Sequence, residues 1–248
     1  FALQGLVLAE CSEGKGRFID QIINGIWIIC EETYWGLPAH LDIQSTGYGL
    51  PDASEATMDI FAGETASLLA WTRYLLKSQL NVASPLISQR IVSELKRRIL
   101  YPCLKRDDFW WMTFTGEGDI NNWNPWCNSS WLTTVLLVED DPGQKNAAIQ
   151  KILRSLDKYI EVQPSDGGCD EGPGYWGKAA ACLFESLDLL YSATKGKLNA
   201  FDEPLIKEMG RFIYRAQISN HYFINFADAP SILIPPDTLV YRYGQAIK

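Results

Sequence analysis

Residues 144–161 read QKNAAIQKILRSLDKYIE, and their spacing decides the fold class. Apolar side chains fall at Ile149, Ile152, Leu153, Leu156, Tyr159 and Ile160, in steps of three and four. Such steps put one apolar stripe on a helix and leave the other face polar. The stretch 84–101 repeats the pattern with Leu86, Ile87, Ile91, Val92, Leu95 and Ile99. Ahead of it, Ser84-Pro85 supplies a capping oxygen and then a proline at the first helical position, where the missing N–H costs nothing. Working outward, helices are expected at 15–32, 54–79, 172–195 and 202–218, and Tyr241–Lys248 resembles the opening of another. Ser129–Val138 reads two ways: its Thr133-Thr134-Val135 run suits a strand, while helices on both sides favour a helix. No alternating pair of strands and no hairpin signal stands out, so the fold class is all-α.

The connections alternate in character. Rich loops at 33–53, 104–128, 162–176 and 219–237 carry most of the Trp, Tyr, His, Asn and Asp residues outside the helices. Plain ones, 81–84 and 195–200, lie between them. In an up-and-down array every second connection emerges at the same end, and loops on a rigid scaffold are where function concentrates. No close repeat supports a solenoid. The expectation is an incomplete ring of helical hairpins spanning 1–248 as a single domain.

Composition narrows the partners. The 248 residues are 47% apolar and 21% charged, with a net charge of −8. That charge argues against nucleic acid, which needs a basic field. An acidic ligand would need a local basic patch or neutral donors. Lys105-Arg106 is the only adjacent basic pair in the loops; Lys96-Arg97-Arg98 falls in a helix and reads as a solvated face. The longest apolar run, Ile22–Cys30, is broken by Asn24 and Gly25 and is too short to span a bilayer. The six cysteines, at 11, 30, 103, 127, 169 and 182, show no CxxC pair, so no zinc site is expected. Cys30 and Cys182 sit in apolar stretches and read as core. The chain opens on Phe1 with no basic-then-apolar leader and closes without a C-cap, which suggests a piece of a longer, processed protein.

Nine tryptophans is a high count, and five of them lie between 110 and 131. Sugars present C–H patches flanked by hydroxyls; aromatic faces pack on the first, and Asn, Asp and Glu bond the second. The run Asp119-Ile-Asn-Asn-Trp-Asn-Pro-Trp supplies both kinds of group within eight residues. Core packing is the plain alternative, evenly balanced for Trp110 and Trp131 but less apt for Trp123 between two asparagines. A second run, Asp166-Gly-Gly-Cys-Asp-Glu-Gly-Pro-Gly-Tyr-Trp-Gly, has glycines for sharp turns and close backbone approach. Pro173 marks a helix start, placing Tyr175 in its first turn. Asp170 and Glu171 serve either as caps for that start or as working acids.

Asn121-Asn122-Trp123, followed some fifty residues on by Asp166-Gly167, Glu171 and Tyr175, resembles the heparinase II/III-like polysaccharide lyases. Glu31-Glu-Thr-Tyr-Trp-Gly-Leu-Pro-Ala-His40 is similar to the substrate-cleft segment of that group, as is Asn225-Phe-Ala-Asp-Ala229. The resemblance implies an incomplete (α/α) toroid of the chondroitin AC/alginate lyase kind, with β-sandwich domains following in the full protein. It implies β-elimination on an anionic, uronate-containing glycan, without metal or cofactor, by an exported or periplasmic protein. Asn122 matches the residue that neutralises the uronate carboxylate, and Tyr175 the catalytic base and acid. Asn121, Trp123, Trp126, Trp35, His40, Glu171, Trp176 and Asp228 are the expected substrate contacts. The sequence departs from the family in two places: Asn124-Pro125-Trp126-Cys127 lacks a following acid, and an asparagine stands where related lyases carry a histidine.

The chemistry is demanding. The C5 proton is α to a carboxylate and barely acidic while that carboxylate is charged. A preorganised amide donor is worth about 2.7–4 kcal/mol to the developing charge. A tyrosine, with a free pKa near 10, must have positive charge or donors beside it to act as base; His40 and His221 are candidates. Two other readings use the same residues. A hydrolase would place two carboxylates astride the glycosidic bond, drawn from Asp119, Asp166, Asp170 and Glu171. A glycan-binding domain would use the aromatic loops alone.

Overall fold

The computed structural model describes residues 2–116 and 119–248. It is 62% helix and 2% strand, so the chain is all-α. Contacts group it into two compact units. The first runs to Trp110 and adds Ser130–Ile152; the second comprises Trp111–Ser129 and Leu153–Lys248.

The first unit begins with α1 (Ala2–Glu13) and α2 (Ile19–Glu31). Gly14 and Gly16, both at positive φ, turn the chain between them. Glu10 fixes that turn: its buried carboxylate accepts from the Gly16 N–H at 2.6 Å and the Phe18 N–H at 3.1 Å. A 3₁₀ turn over Pro38–Ile43 leads to α3 (Ile60–Ala83) and α4 (Pro85–Leu95), joined by Ser84 alone. Ser84 caps α4 as its sequence foretold, accepting from the Leu86 N–H. The start of α3 lies at 60 rather than 54, because Asp59 is its cap, accepting from the Ala62 N–H at 2.7 Å. Ile22, Ile26, Leu69, Leu80, Ile91 and Leu95 are fully enclosed and form the core of this unit.

The helix after α4 does not stop; it rewinds. Pro102 has no N–H, and in α geometry its ring would collide with the Arg98 carbonyl. The chain passes through a π turn, Lys96–Leu100, in which the Tyr101 N–H reaches back to the Lys96 carbonyl, and resumes as α5 (Tyr101–Lys105).

Two helices contribute residues to both units: α6 (Trp123–Val138) and α7 (Pro142–Glu161). Ser129–Val138 is therefore helix. The ambiguity had a cause: α6 has no solvated polar face, and Asn124, Asn128, Ser129, Thr133 and Thr134 are all buried. Within the second unit the Asn124 amide donates to the Trp111 carbonyl and to Ser155 Oγ at 2.9 and 3.0 Å, and Asn128 Nδ2 donates to Ser155 Oγ at 2.9 Å.

The second unit continues with α8 (Ala180–Ala193), α9 (Pro204–Arg215) and α10 (Asp237–Ala246). Its core stacks Phe184 on Tyr243 at 4.4 Å between ring centres, with Leu183, Met209 and Ile213 buried around them. Two short strands that the sequence did not announce, β1 (Gln217–Ser219) and β2 (Tyr222–Phe223), pair antiparallel across Asn220, which adopts a left-handed turn conformation. Among the described residues no disulfide joins any of the six cysteines. Among the described residues no helix is long and apolar enough to cross a membrane.

Candidate functional site

Two segments of the second unit carry the expected chemistry. The first is the start of α6. Asn121 does not present its side chain as a ligand would: Oδ1 accepts from the Trp123 N–H at 3.0 Å and caps the helix. Asn122 is 3% exposed, and its amide nitrogen donates to Glu171 Oε2 at 2.8 Å. Its carbonyl accepts from the Trp126 N–H, so Trp126 sits one turn further on.

The second segment is 166–179. Pro173 does not open a helix; residues 170–179 form a series of turns, and α8 begins only at Ala180. Gly172, at φ +86°, is the reason the chain cannot yet be helical there. The Tyr175 N–H donates to the Gly172 carbonyl at 3.1 Å, and the Tyr175 carbonyl accepts from the N–H groups of Lys178 and Ala179 at 2.8 and 3.0 Å. Tyr175 is thus half-buried on a tight turn rather than in the first turn of a helix.

The two segments meet twice. Asn122 bonds Glu171, and the Lys178 ammonium lies 4.1 Å from the centre of the Trp126 ring. Tyr175 falls in sequence between those two contacts. Lys178 was not foreseen, although its spacing of three from Tyr175 was open to view. A cation over a tryptophan face is worth about 0.5–2 kcal/mol, and it covers one face of Trp126.

Glu171 is the group most altered by its surroundings. Partial burial pushes its carboxyl above the usual carboxylate range, the charge of Asp170 adds to this, and that of Asp228 adds less. The Asn122 amide opposes the rise. Asp228 is exposed, in the Phe226–Ala229 turn where Ala227 has positive φ. Backbone proximity explains its reach: a side chain at Gly172 would meet the Phe226 carbonyl at 2.5 Å and the Ala229 methyl at 2.8 Å.

Trp176 is corrected from substrate contact to core. It is 1% exposed, its indole N–H donates to the Met209 carbonyl at 2.9 Å, and its ring stacks on Tyr243. Trp123 is half-buried at the α6 start.

Trp35 and His40 belong to the first unit. Trp35 is 7% exposed; its N–H donates to the Ile29 carbonyl at 2.8 Å and the Arg98 guanidinium lies 4.6 Å over its ring. It is a wall, not an open stacking surface. His40 Nδ1 lies 2.7 Å from Asp59 Oδ2, a contact a carboxylate makes with a protonated Nδ1. The same buried Asp59 also takes the Leu37 N–H at 2.9 Å. His40 is therefore held in one orientation by an acid that is itself fixed.

The chain matches no protein-family model and no curated protein.

Proposed function

We propose that the chain is a polysaccharide lyase that cleaves a uronate-containing glycan by β-elimination, on an incomplete α/α toroid, in an exported protein. One observation carries this reading: Asn122 is a buried amide already directed at the carboxyl group of Glu171, which lies four residues before Tyr175 in the sequence. An amide that binds the Glu171 carboxyl in the resting protein can bind a uronate carboxylate by the same geometry. Donated to the uronate carboxylate, the Asn122 amide offsets part of its charge, while burial and the charge of Asp170 hold the Glu171 carboxyl above its ordinary range. With that charge masked, the C5 proton becomes removable. Tyr175 takes it, the C5–H electrons form the C4–C5 double bond, and the C4–O bond breaks. The phenol then returns the proton to the departing oxygen. Lys178, three residues on, is the cation nearest to Tyr175 in the sequence.

A second reading has its own support. A carboxyl with a raised pKa beside Asp170 and Asp228 is what a glycosidase uses as general acid. Ultraviolet absorbance during incubation with a panel of uronate glycans separates the two. A lyase yields a conjugated double bond, a hydrolase yields reducing ends without it, and a binding domain yields neither. Tyr175→Phe is expected to remove turnover, at least about a hundredfold as for a lost general base, while leaving glycan binding within a few-fold. Wild-type rates in that variant would overturn the assignment.

A further inference from the structure

After α9 the chain of the second unit builds a small sheet whose two faces are both apolar. β1 and β2 pair antiparallel, and residues 231–233 add a third row. The Phe223 N–H donates to the Ser231 carbonyl and the Leu233 N–H to the His221 carbonyl, each at 2.9 Å, with Tyr222 opposite Ile232. Successive side chains of a strand point to opposite faces. Phe223 is buried and Leu233 half-buried, so their face rests on the core. An antiparallel sheet that rests one face on a core ordinarily turns polar side chains outward. Here the outward face holds Tyr222, Ile224, Ile232 and Ile234, all exposed, with Ile232 at 58% and Ile234 at 70%. A contiguous apolar patch of this kind marks a surface that another molecule covers.

The edge beside that face is open as well. Ser231 and Leu233 direct their backbone groups at β2, so the N–H and C=O of Ile232 between them face away from it. Among the described residues none hydrogen-bonds either group. An unpaired edge is a template for another strand. Pro230 before it and Pro235-Pro236 after it confine pairing to residues 231–234, because proline cannot donate to a ladder. Charge says which strand. From Ala216 to Pro236 the only acidic or basic residue besides His221 is Asp228, on a chain whose net charge is −8. A two-fold contact sets each surface group near the axis against its own copy, and like charges so placed repel. An acidic protein therefore pairs with itself through an uncharged stretch, whereas a basic partner gains nothing from one.

We propose that this edge and face bind a second copy of the chain, 231–234 pairing antiparallel with 231–234 about a two-fold axis. Ile232 then exchanges both of its free hydrogen bonds with Ile232 of the second copy, and the two outward apolar faces become one. Such a contact is self-complementary and closed, so the edge is used up by the pair. The four exposed side chains offer a few hundred Å2 per copy, below the roughly 800 Å2 per partner of a standard stable interface. The pair is accordingly a reversible one, with a Kd on the order of 10–100 μM.

The test is sedimentation velocity of the full chain from about 1 to about 300 μM, with amide hydrogen exchange at both ends of that range. The chain is expected to pass from monomer to dimer, and the Ile232 amide to exchange at least about tenfold more slowly at the high concentration. Ile234→Lys sets like charges near the axis, and Ile232→Pro removes the central donor; each should weaken pairing about tenfold or more. Ile234 is exposed, so an unchanged melting temperature confirms that its variant is folded. Val82→Lys, at an exposed apolar position of α3 in the other unit, is the control and should pair as wild type does. A chain that stays monomeric at the top concentration overturns the proposal. So does a dimer that survives Ile234→Lys, one that Val82→Lys abolishes, or one in which the Ile232 amide exchanges as fast as in the monomer, because each of these places the contact elsewhere.

Discussion

Gly172→Ala is the substitution that bears most directly on how the candidate site is assembled. Gly172 has φ +86°, where an L side chain is strained by about 1–2 kcal/mol. The new methyl would also lie 2.5 Å from the Phe226 carbonyl oxygen and 2.8 Å from the Ala229 methyl. Both distances are below van der Waals contact, and the first obstacle is backbone, which cannot swing aside. Relieving them displaces one strand of chain from the other, a kind of overpacking that costs about 1–3 kcal/mol. Together these give about 2–5 kcal/mol, or a fall of several degrees in melting temperature for a chain of this size. Gly177→Ala is the control, because a methyl there meets nothing within 4 Å and its φ is not positive. The assay is thermal unfolding by circular dichroism, with amide exchange at Glu171, Tyr175 and Ala229 as the local readout. Gly172→Ala should melt well below wild type with faster exchange at all three amides, and Gly177→Ala should match wild type within about 0.5 kcal/mol. Equal melting of the two variants would refute the close approach between the 172 turn and the 226–229 turn.

Other outcomes follow from single interactions. Glu171 has a raised pKa in the folded protein, so its contribution to stability is present below the unfolded pKa and is lost as pH rises through the folded one. Glu171→Gln should therefore stabilise the chain at neutral pH and lose that advantage in acid; urea midpoints measured across the pH range would show it, and a pH-independent difference would contradict it. Asp59→Ala removes the α3 cap, the Leu37 contact and the His40 partner from a fully buried position. With a cap worth about 1 kcal/mol and charge-assisted bonds worth more, the loss should reach about 3 kcal/mol in a denaturation midpoint.

The sequence spoke clearly where burial was one-sided. α7 has a wet face and a dry face, so its period is visible, and Ser84-Pro85 declared the start of α4 because the cap is local chemistry. α6 hid its nature because its Asn, Ser and Thr side chains are turned inward to bond one another and the chain around Ser155. The 170–179 turns read as helix since Pro173 is a good starter, but Gly172 and Gly174 serve backbone contacts with the 226–230 stretch, and such contacts have no local signature. Glu171 and Asn122, which meet in the fold, were legible as a pair through motif and composition. Lys178 over Trp126, and Arg98 over Trp35, were not. Each joins residues about fifty or sixty positions apart, and neither residue carries a local pattern that names its partner. Trp176 erred the other way: a tryptophan in a polar, glycine-rich run looks like a sugar platform until its N–H is found on Met209.

The π turn at Lys96–Leu100 acts as a phase shifter. Each residue of an α-helix advances its side chain by about 100°, so one residue of surplus winding turns everything beyond it relative to everything before. Upstream, Arg90 and Glu94 keep their bearing; downstream, Cys103 arrives 3.3 Å from the Met58 sulfur on a bearing that unbroken winding would have missed. Losing a single residue between 96 and 100 would leave a passable helix, but it would point either the arginines or the Cys103 face in the wrong direction. The length of that segment is therefore under tighter constraint than its composition.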